Sequence, residues 1–264
     1  LNRLKPVLAP FLGALALLAT LLGPVFAETS CPAHYADGKP PELAQADLGA
    51  IELCSEAFAV AVTPATMNPV YAAEHLTPAG LAGAVQIPRV DAFHPDERVP
   101  YDFRAELRDY AASGFDRGHM APAGDMPTPS AQHESFALSN MVPQNPNLNR
   151  GLWAKIEERV RREVVLRKEG FVVTGPAYSG APKRLNGHVM IPTRIWKAVY
   201  MPGDAATNTP ALAGAYIVDN AADAKAEIVS IGALARTIGF DPIPGAPAEA
   251  HSLANLPAVT EASR

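Results

Sequence analysis

Residues 148–167, LNRGLWAKIEERVRREVVLR, limit what this chain can become more than any other stretch. Leu152, Ile156, Val160 and Val164 recur at four-residue steps, which predicts an amphipathic helix with its apolar stripe facing a core. Beside it runs a second stripe, Asn149, Trp153, Glu157 and Arg161, of quite different character. A solvated helix face with Asn149 as N-cap accounts for it as well as a functional face does, and the spacing alone leaves both open. Around the helix, short apolar runs broken by Gly and Pro predict strands at 171–173, 189–191, 196–200 and 216–218. Residues 135–142 (SFALSNMV) also alternate as a strand does, with Phe136, Leu138, Asn140 and Val142 on one side. An Asn among core-facing residues needs hydrogen-bond partners.

The first 27 residues carry Arg3 and Lys5, then no charge from Pro6 to Ala27, with the densest apolar block at 11–22 and Val25-Phe26-Ala27 ahead of Glu28. That pattern predicts a secretory signal peptide; an uncleaved membrane anchor is opposed by the short block and by Pro6, Pro10 and Pro24. Its removal leaves 20 of the 22 positive residues against 27 negative ones, a charge of −7. With 48% hydrophobic and 19% charged residues the composition is globular, and it excludes a disordered chain. It also lacks the basic surplus of a typical nucleic-acid binder, so contact with phosphate needs a local site. Residues 28–88 hold one cation, Lys39, against seven acids, whereas 89–168 hold twelve of each sign, which puts such a site in the middle of the chain. Cys31 and Cys54, the only cysteines, read in an exported protein as a disulfide and lack metal-ligand spacing. From Phe240 onward the chain is rich in Ala and Pro, which predicts a frayed tail.

Phe115-Asp116-Arg117-Gly118-His119-Met120-Ala121-Pro122 is the most unusual local sequence. In extended form it puts Arg117 and His119 on one face and Asp116 on the other, and Gly118 leaves the backbone uncovered for an anionic substrate. A lone His near an Arg and an Asp is more often structural, so this stretch needs context. Histidine accepts a proton from water near neutral pH. A hard divalent cation prefers oxygen ligands and keeps much of its water, so one side-chain oxygen such as that of Asn149 is enough to seat it with substrate phosphate. Glu157, two turns along, is placed to hold water around such an ion without touching it. Arg89 and Arg117 are candidate cations for the charge that develops on phosphorus.

The chain resembles the DNA/RNA non-specific endonuclease family. The residues that carry the resemblance are the signature Asp116-Arg117-Gly118-His119, the block 138–144 (LSNMVPQ), and Asn149, Trp153, Glu157 and Arg161. Asp109-Tyr110, the Thr174-Gly175-Pro176 turn and residues 191–197 extend it, so that it covers about 89–240. The resemblance implies an α+β fold: a ββα-metal core within a mixed, mainly antiparallel sheet flanked by helices. It implies His119 as general base, Asn149 as the Mg²⁺ ligand, with Mn²⁺ as a substitute, and Glu157 as holder of metal-bound water. Asn140 becomes an active-site hydrogen-bonding residue and Arg89 a phosphate contact; Arg117 serves the same end or pairs with Asp116. The domain plan is a signal peptide at 1–27, a disulfide-bearing segment at 28–88, the endonuclease domain at 89–240 and a flexible tail at 241–264. The expected partners are DNA and RNA, with no membrane partner for the mature form and no protein partner deducible, and the location is secreted or periplasmic. Two other functions fit the same residues: an exported nucleic-acid-binding module that does not cut, and a phosphodiesterase for small substrates.

Overall fold

The computed structural model describes residues 29–43 and 49–259; the predicted signal peptide lies outside them. Strands β1 (Ile51–Cys54), β2 (Ala59–Thr63) and β3 (Asn68–Leu76) lead into helix α1 (Pro78–Val85) and, further on, the short α2 (Leu107–Tyr110). Next come β4 (Asp116–His119), α3 (Pro129–Ser135) and β5 (Met141–Gln144). The chain then runs through α4 (Pro146–Leu148), a π turn (Asn149–Trp153) and α5 (Ala154–Arg167), with helical backbone at each junction. Strand β6 (Gly170–Ala177), the small pair β7 (Arg184–Leu185) and β8 (Val189–Met190), β9 (Arg194–Met201), β10 (Leu212–Asp219), β11 (Ala226–Val229) and helix α6 (Ile231–Ile238) follow.

Seven of these strands form one antiparallel sheet in the order β1-β2-β3-β6-β9-β10-β11. Both of its faces are covered, which is why its strands read as apolar runs rather than as alternating patterns. In β9, Ile195, Val199 and Met201 pack in the core that holds Ile156, Val160 and Val164 of α5. Trp196, Ala198 and Tyr200 face the opposite core, with Ile231 and Leu234 of α6. The strand expectations at 171–173, 196–200 and 216–218 fall inside β6, β9 and β10, while β8 stops at Met190, short of Ile191.

Four sequence expectations change. Residues 135–142 are not one strand: α3 ends at Ser135, a 3₁₀ turn covers Leu138–Asn140, and only then does β5 begin. Every residue from Ser135 to Val142 is buried, so the alternation there carried no facing information. The predicted helix contains a π turn at its start. A boundary at residue 88 would cut through the sheet, because β3 pairs with β6 from Ala72–Thr174 to Leu76–Gly170. Nor is 241–259 a frayed tail: Ile243, Ala246, Ala250 and Leu256 are buried. Tyr216 donates its hydroxyl to the Pro257 carbonyl at 2.6 Å, and Asn255 accepts from the Ala213 amide at 2.9 Å. The small residues let the segment lie flat on its neighbours; a Cβ at Gly245 would stand 1.7 Å from the Ala36 carbonyl oxygen. The expected Cys31–Cys54 disulfide is formed, with its Cα atoms 5.6 Å apart.

Candidate active site

Strands β4 and β5 pair antiparallel with Gly118 opposite Val142 and His119 opposite Met141. Gly118 does not open the backbone to substrate as the sequence suggested. Its missing side chain makes room for Gln144, whose Oε1 would lie 2.0 Å from a Cβ there. Gln144 is fully buried, so Gly118 serves close packing under the site.

At the end of β4, His119 is 8% exposed and lines a cavity of about 540 Å³. Its ring meets Phe136 edge to face at 4.9 Å and lies 5.8 Å from Phe93. Nε2 is buried and has no hydrogen-bond partner. Burial, helped by the positive charge of Arg89, pushes the imidazole down to about 3, so it is neutral at physiological pH. A neutral ring on the cavity wall with an uncommitted nitrogen is equipped to receive a proton.

The opposite wall comes from the helix. Asn149 donates Nδ2 to Asp116 Oδ2 at 2.9 Å, which leaves its amide oxygen for the cavity. The π turn matters here: an ideal α-helix lets residues spaced by four drift around its axis, and a wider turn brings Asn149 back toward the Glu157 face. Asp116 also receives Arg150 through Nε at 2.8 Å and Nη2 at 2.6 Å. Burial alone would raise the Asp116 carboxyl, but the bonds from Arg150 and Asn149 outweigh it and hold it below the usual carboxylate range. Glu157 lines the same cavity, and burial pushes it up to about 7 against the pull of Lys197 and Arg161. Arg161 closes that wall through a 2.8 Å ion pair with buried Asp125.

The profile of the DNA/RNA non-specific endonucleases matches residues 44–247. This chain belongs to that family. Mitochondrial nuclease of Saccharomyces cerevisiae is 37% identical over 163 residues, 55% of this chain and 48% of that one. Nuclease C1 of Cunninghamella echinulata var. echinulata is 39% identical over 163 residues, 56% and 63% of the two chains. Bovine mitochondrial endonuclease G is 34% identical over 184 residues, covering 64% and 61%. The chain thus spans about half to two thirds of the length of these relatives. Among solved structures, the EndoG/EndoGI complex contains a chain with TM-score 0.62 and 26% identity, covering 72% of this chain and 84% of that one. The fold is the ββα-metal arrangement of the family, with β4, β5 and the helix from Pro146 to Arg167 at its centre.

Of the family positions named from sequence, the cavity brings together His119, Arg89, Arg117, Asn149 and Glu157. Arg89 is exposed, paired with Asp91 at 2.7 Å and 5.1 Å above the Phe136 ring. Arg117 lies 4.2 Å over the Phe93 ring with a buried, unpartnered Nε, and the contact to Asp116 belongs to Arg150 instead. Asn140 does not reach the cavity. It is fully buried, accepts from the Ala121 amide at 2.9 Å, and donates to the Ala121 and Ser135 carbonyls at 2.8 and 2.9 Å. It therefore pins the chain just after His119 rather than meeting substrate. Sequence reasoning missed the part played by Asp116, along with Arg150, Phe93 and Asp125. Arg150 had one signal, its place beside Asn149; Phe93 and Asp125 had none.

Proposed function

We propose that this chain is a metal-dependent endonuclease that hydrolyses phosphodiester bonds in both DNA and RNA with little base preference. The observation that carries this is the meeting of an uncommitted neutral imidazole, His119 Nε2, and the oriented amide of Asn149 in one cavity with two arginines. Its donor set suits a hard divalent cation that retains most of its water. Asn149 offers a single neutral oxygen, and among the described residues no group of three or more His, Cys, Asp or Glu stands at metal-binding geometry. Mg²⁺ fits, with Mn²⁺ as a substitute; Asn149 would hold it and Glu157 would orient its water shell. When bound, the ion offsets negative charge at phosphorus and on the departing 3′ oxygen.

His119 takes a proton from a water, which attacks phosphorus in line with the leaving oxygen. The negative phosphate opposes the Arg89 charge, the lesser of the two causes that hold the imidazole down, and favours the protonated ring, so the base strengthens as substrate binds. Arg89 exchanges Asp91 for a phosphate oxygen, an exposed pair that solvent already weakens. Arg117, anchored on Phe93, supplies a second fixed cation. Nothing in this sequence needs a 2′-hydroxyl, which supports action on both sugars. The Cys31–Cys54 disulfide supports an oxidising compartment, secreted or periplasmic, although several relatives are named as mitochondrial.

Plasmid and RNA are incubated with Mg²⁺, with and without chelator, alongside His119→Ala. Cleavage of both polymers is expected, lost with chelator and reduced by about 10²-fold or more in the variant while circular dichroism stays unchanged. No cleavage of either polymer would leave a binding module, and cleavage of only a small diester would make the protein a phosphodiesterase.

A further inference from the structure

Behind the cavity lie two buried charged residues, Glu74 and Lys197, that the reaction above does not use. Glu74 sits on β3, and two residues before it Ala72 pairs with Thr174 of β6, which in turn pairs with Lys197 of β9. Glu74 is 0% exposed, and neither of its carboxyl oxygens has a hydrogen-bond partner. Lys197 is 1% exposed, donates to Thr174 Oγ1 at 2.6 Å and lies 5.5 Å from the Trp153 ring. The charged groups that face Glu74 are Asp125 from the turn after β4, Lys197 from β9, and Glu157 and Arg161 from α5.

Three carboxyl groups thus share two cations, Lys197 and Arg161, and Glu157 also feels the exposed Arg89 at the cavity. Arg161 is taken by Asp125 at 2.8 Å, which leaves Lys197 opposite both Glu74 and Glu157. A buried carboxylate without hydrogen bonds is costly, whereas Glu157 opens onto the cavity and its water. We propose that Glu74 is held as a neutral carboxylic acid behind the active site, so that the charge of Lys197 serves Glu157 alone and keeps an anion facing the cavity. Glu74 is then a positioning residue that acts through Lys197. Burial, reinforced by Asp125, raises its carboxyl well above the usual range, in the direction this assignment requires. Its consequence for catalysis rests on the endonuclease reading, but its test does not.

In uniformly ¹³C-labelled, metal-free wild-type protein, NMR follows the side-chain carboxyl carbons of Glu74 and Glu157 across the neutral range. Glu74 is expected to keep the shift of a protonated acid while Glu157 titrates. An ionised Glu74 at neutral pH, or a proton held on Glu157 in its place, overturns the proposal. In the active enzyme, Lys197→Met should move the acid limb of kcat/KM upward by about one pH unit, roughly a tenfold loss on that side. A limb that stays in place while only Tm falls would make Lys197 structural and also overturns it. If the protein cuts neither polymer, the NMR result still decides, so failure of the endonuclease reading is told apart from failure of this one.

Discussion

Asp116→Ala tests how the proposed cation site is built. Asp116 Oδ2 accepts the Asn149 amide at 2.9 Å, and a hydrogen bond to a charged group contributes about 1.5–3 kcal/mol. Without it Asn149 is free to leave the rotamer that aims its oxygen at the cavity. Loss of a partner behind a metal ligand commonly costs about 10–100-fold in affinity, and the lower bond energy corresponds to roughly tenfold. Arg150 shares the same carboxylate, but its side chain is 74% exposed and solvent screens it. Arg150→Ala is therefore expected to leave the Mg²⁺ midpoint within about twofold of the parent. Asp116→Ala should raise the midpoint about tenfold or more, with Asp116→Asn between them because it keeps an acceptor. Plasmid nicking over a Mg²⁺ titration reads the midpoint, and Mn²⁺ binding by electron paramagnetic resonance reads the same site without turnover. A parental midpoint for Asp116→Ala, or equal losses for Asp116→Ala and Arg150→Ala, would refute the reasoning.

Glu157, raised by burial to about 7, keeps a proton on folding that the unfolded chain releases near 4.5. Its contribution is present below about pH 4.5 and is lost as pH rises to about 7, by up to about 3 kcal/mol, so chelator-treated Glu157→Gln should show a flatter stability slope than the parent in that window; parallel urea midpoints would disprove this. Because His119 is already neutral above about 3, the acid limb of kcat/KM for the free enzyme should fall near 7 and report Glu157; a limb near 3 would reverse the assignment. Reducing Cys31–Cys54, which closes 23 residues, should lower stability by about 3 kcal/mol and leave activity per folded molecule nearly unchanged, since neither cysteine lines the cavity. Equal losses of both would show that the crosslink shapes the site. Gly118→Ala forces a methyl group onto Gln144 and should cost about 1–3 kcal/mol in urea unfolding; a neutral result would mean that β4 and β5 have slack.

The parts of the fold that could be read from sequence were those where a local pattern matched a buried surface. Helix α5 was legible because Ile156, Val160 and Val164 repeat on one face. The central strands were legible because burial on both faces concentrates apolar residues in runs. Residues 135–142 misled because everything in them is buried, so apolar spacing there reports no direction. The tail misled for the opposite reason: a run rich in Ala and Pro suggested fraying, yet its small residues, Gly245 among them, permit the close contact at Ala36. At the site, residue identities were readable from the signature, but the partners were not. That Asp116 binds Arg150 and Asn149 rather than Arg117 depends on where the helix meets β4, a tertiary fact.

That junction also explains why an aspartate three residues before the proposed base is useful. His119 and Asp116 share the four-residue strand β4, so their separation is set by extended backbone. Asp116 grips Asn149 directly, so the proposed cation ligand is referenced to the same strand as the imidazole. A helix packed on the sheet by its apolar stripe alone could shift along its axis and carry Asn149 away from His119, because dispersion contacts have little directional preference. The carboxylate clamp removes that freedom at the point where the proposed reaction needs it. On the other side of His119, Asn140 fixes Ala121 with two backbone bonds at 2.8 and 2.9 Å. The imidazole is therefore held between two rigid brackets, and the exposed Arg89 is left as the adjustable cation. Rigidity at the proposed proton acceptor and metal ligand, with adaptability at the proposed phosphate contact, is the division that the endonuclease reading requires of a site meant to accept polymers of different sugar and sequence while holding one geometry at phosphorus.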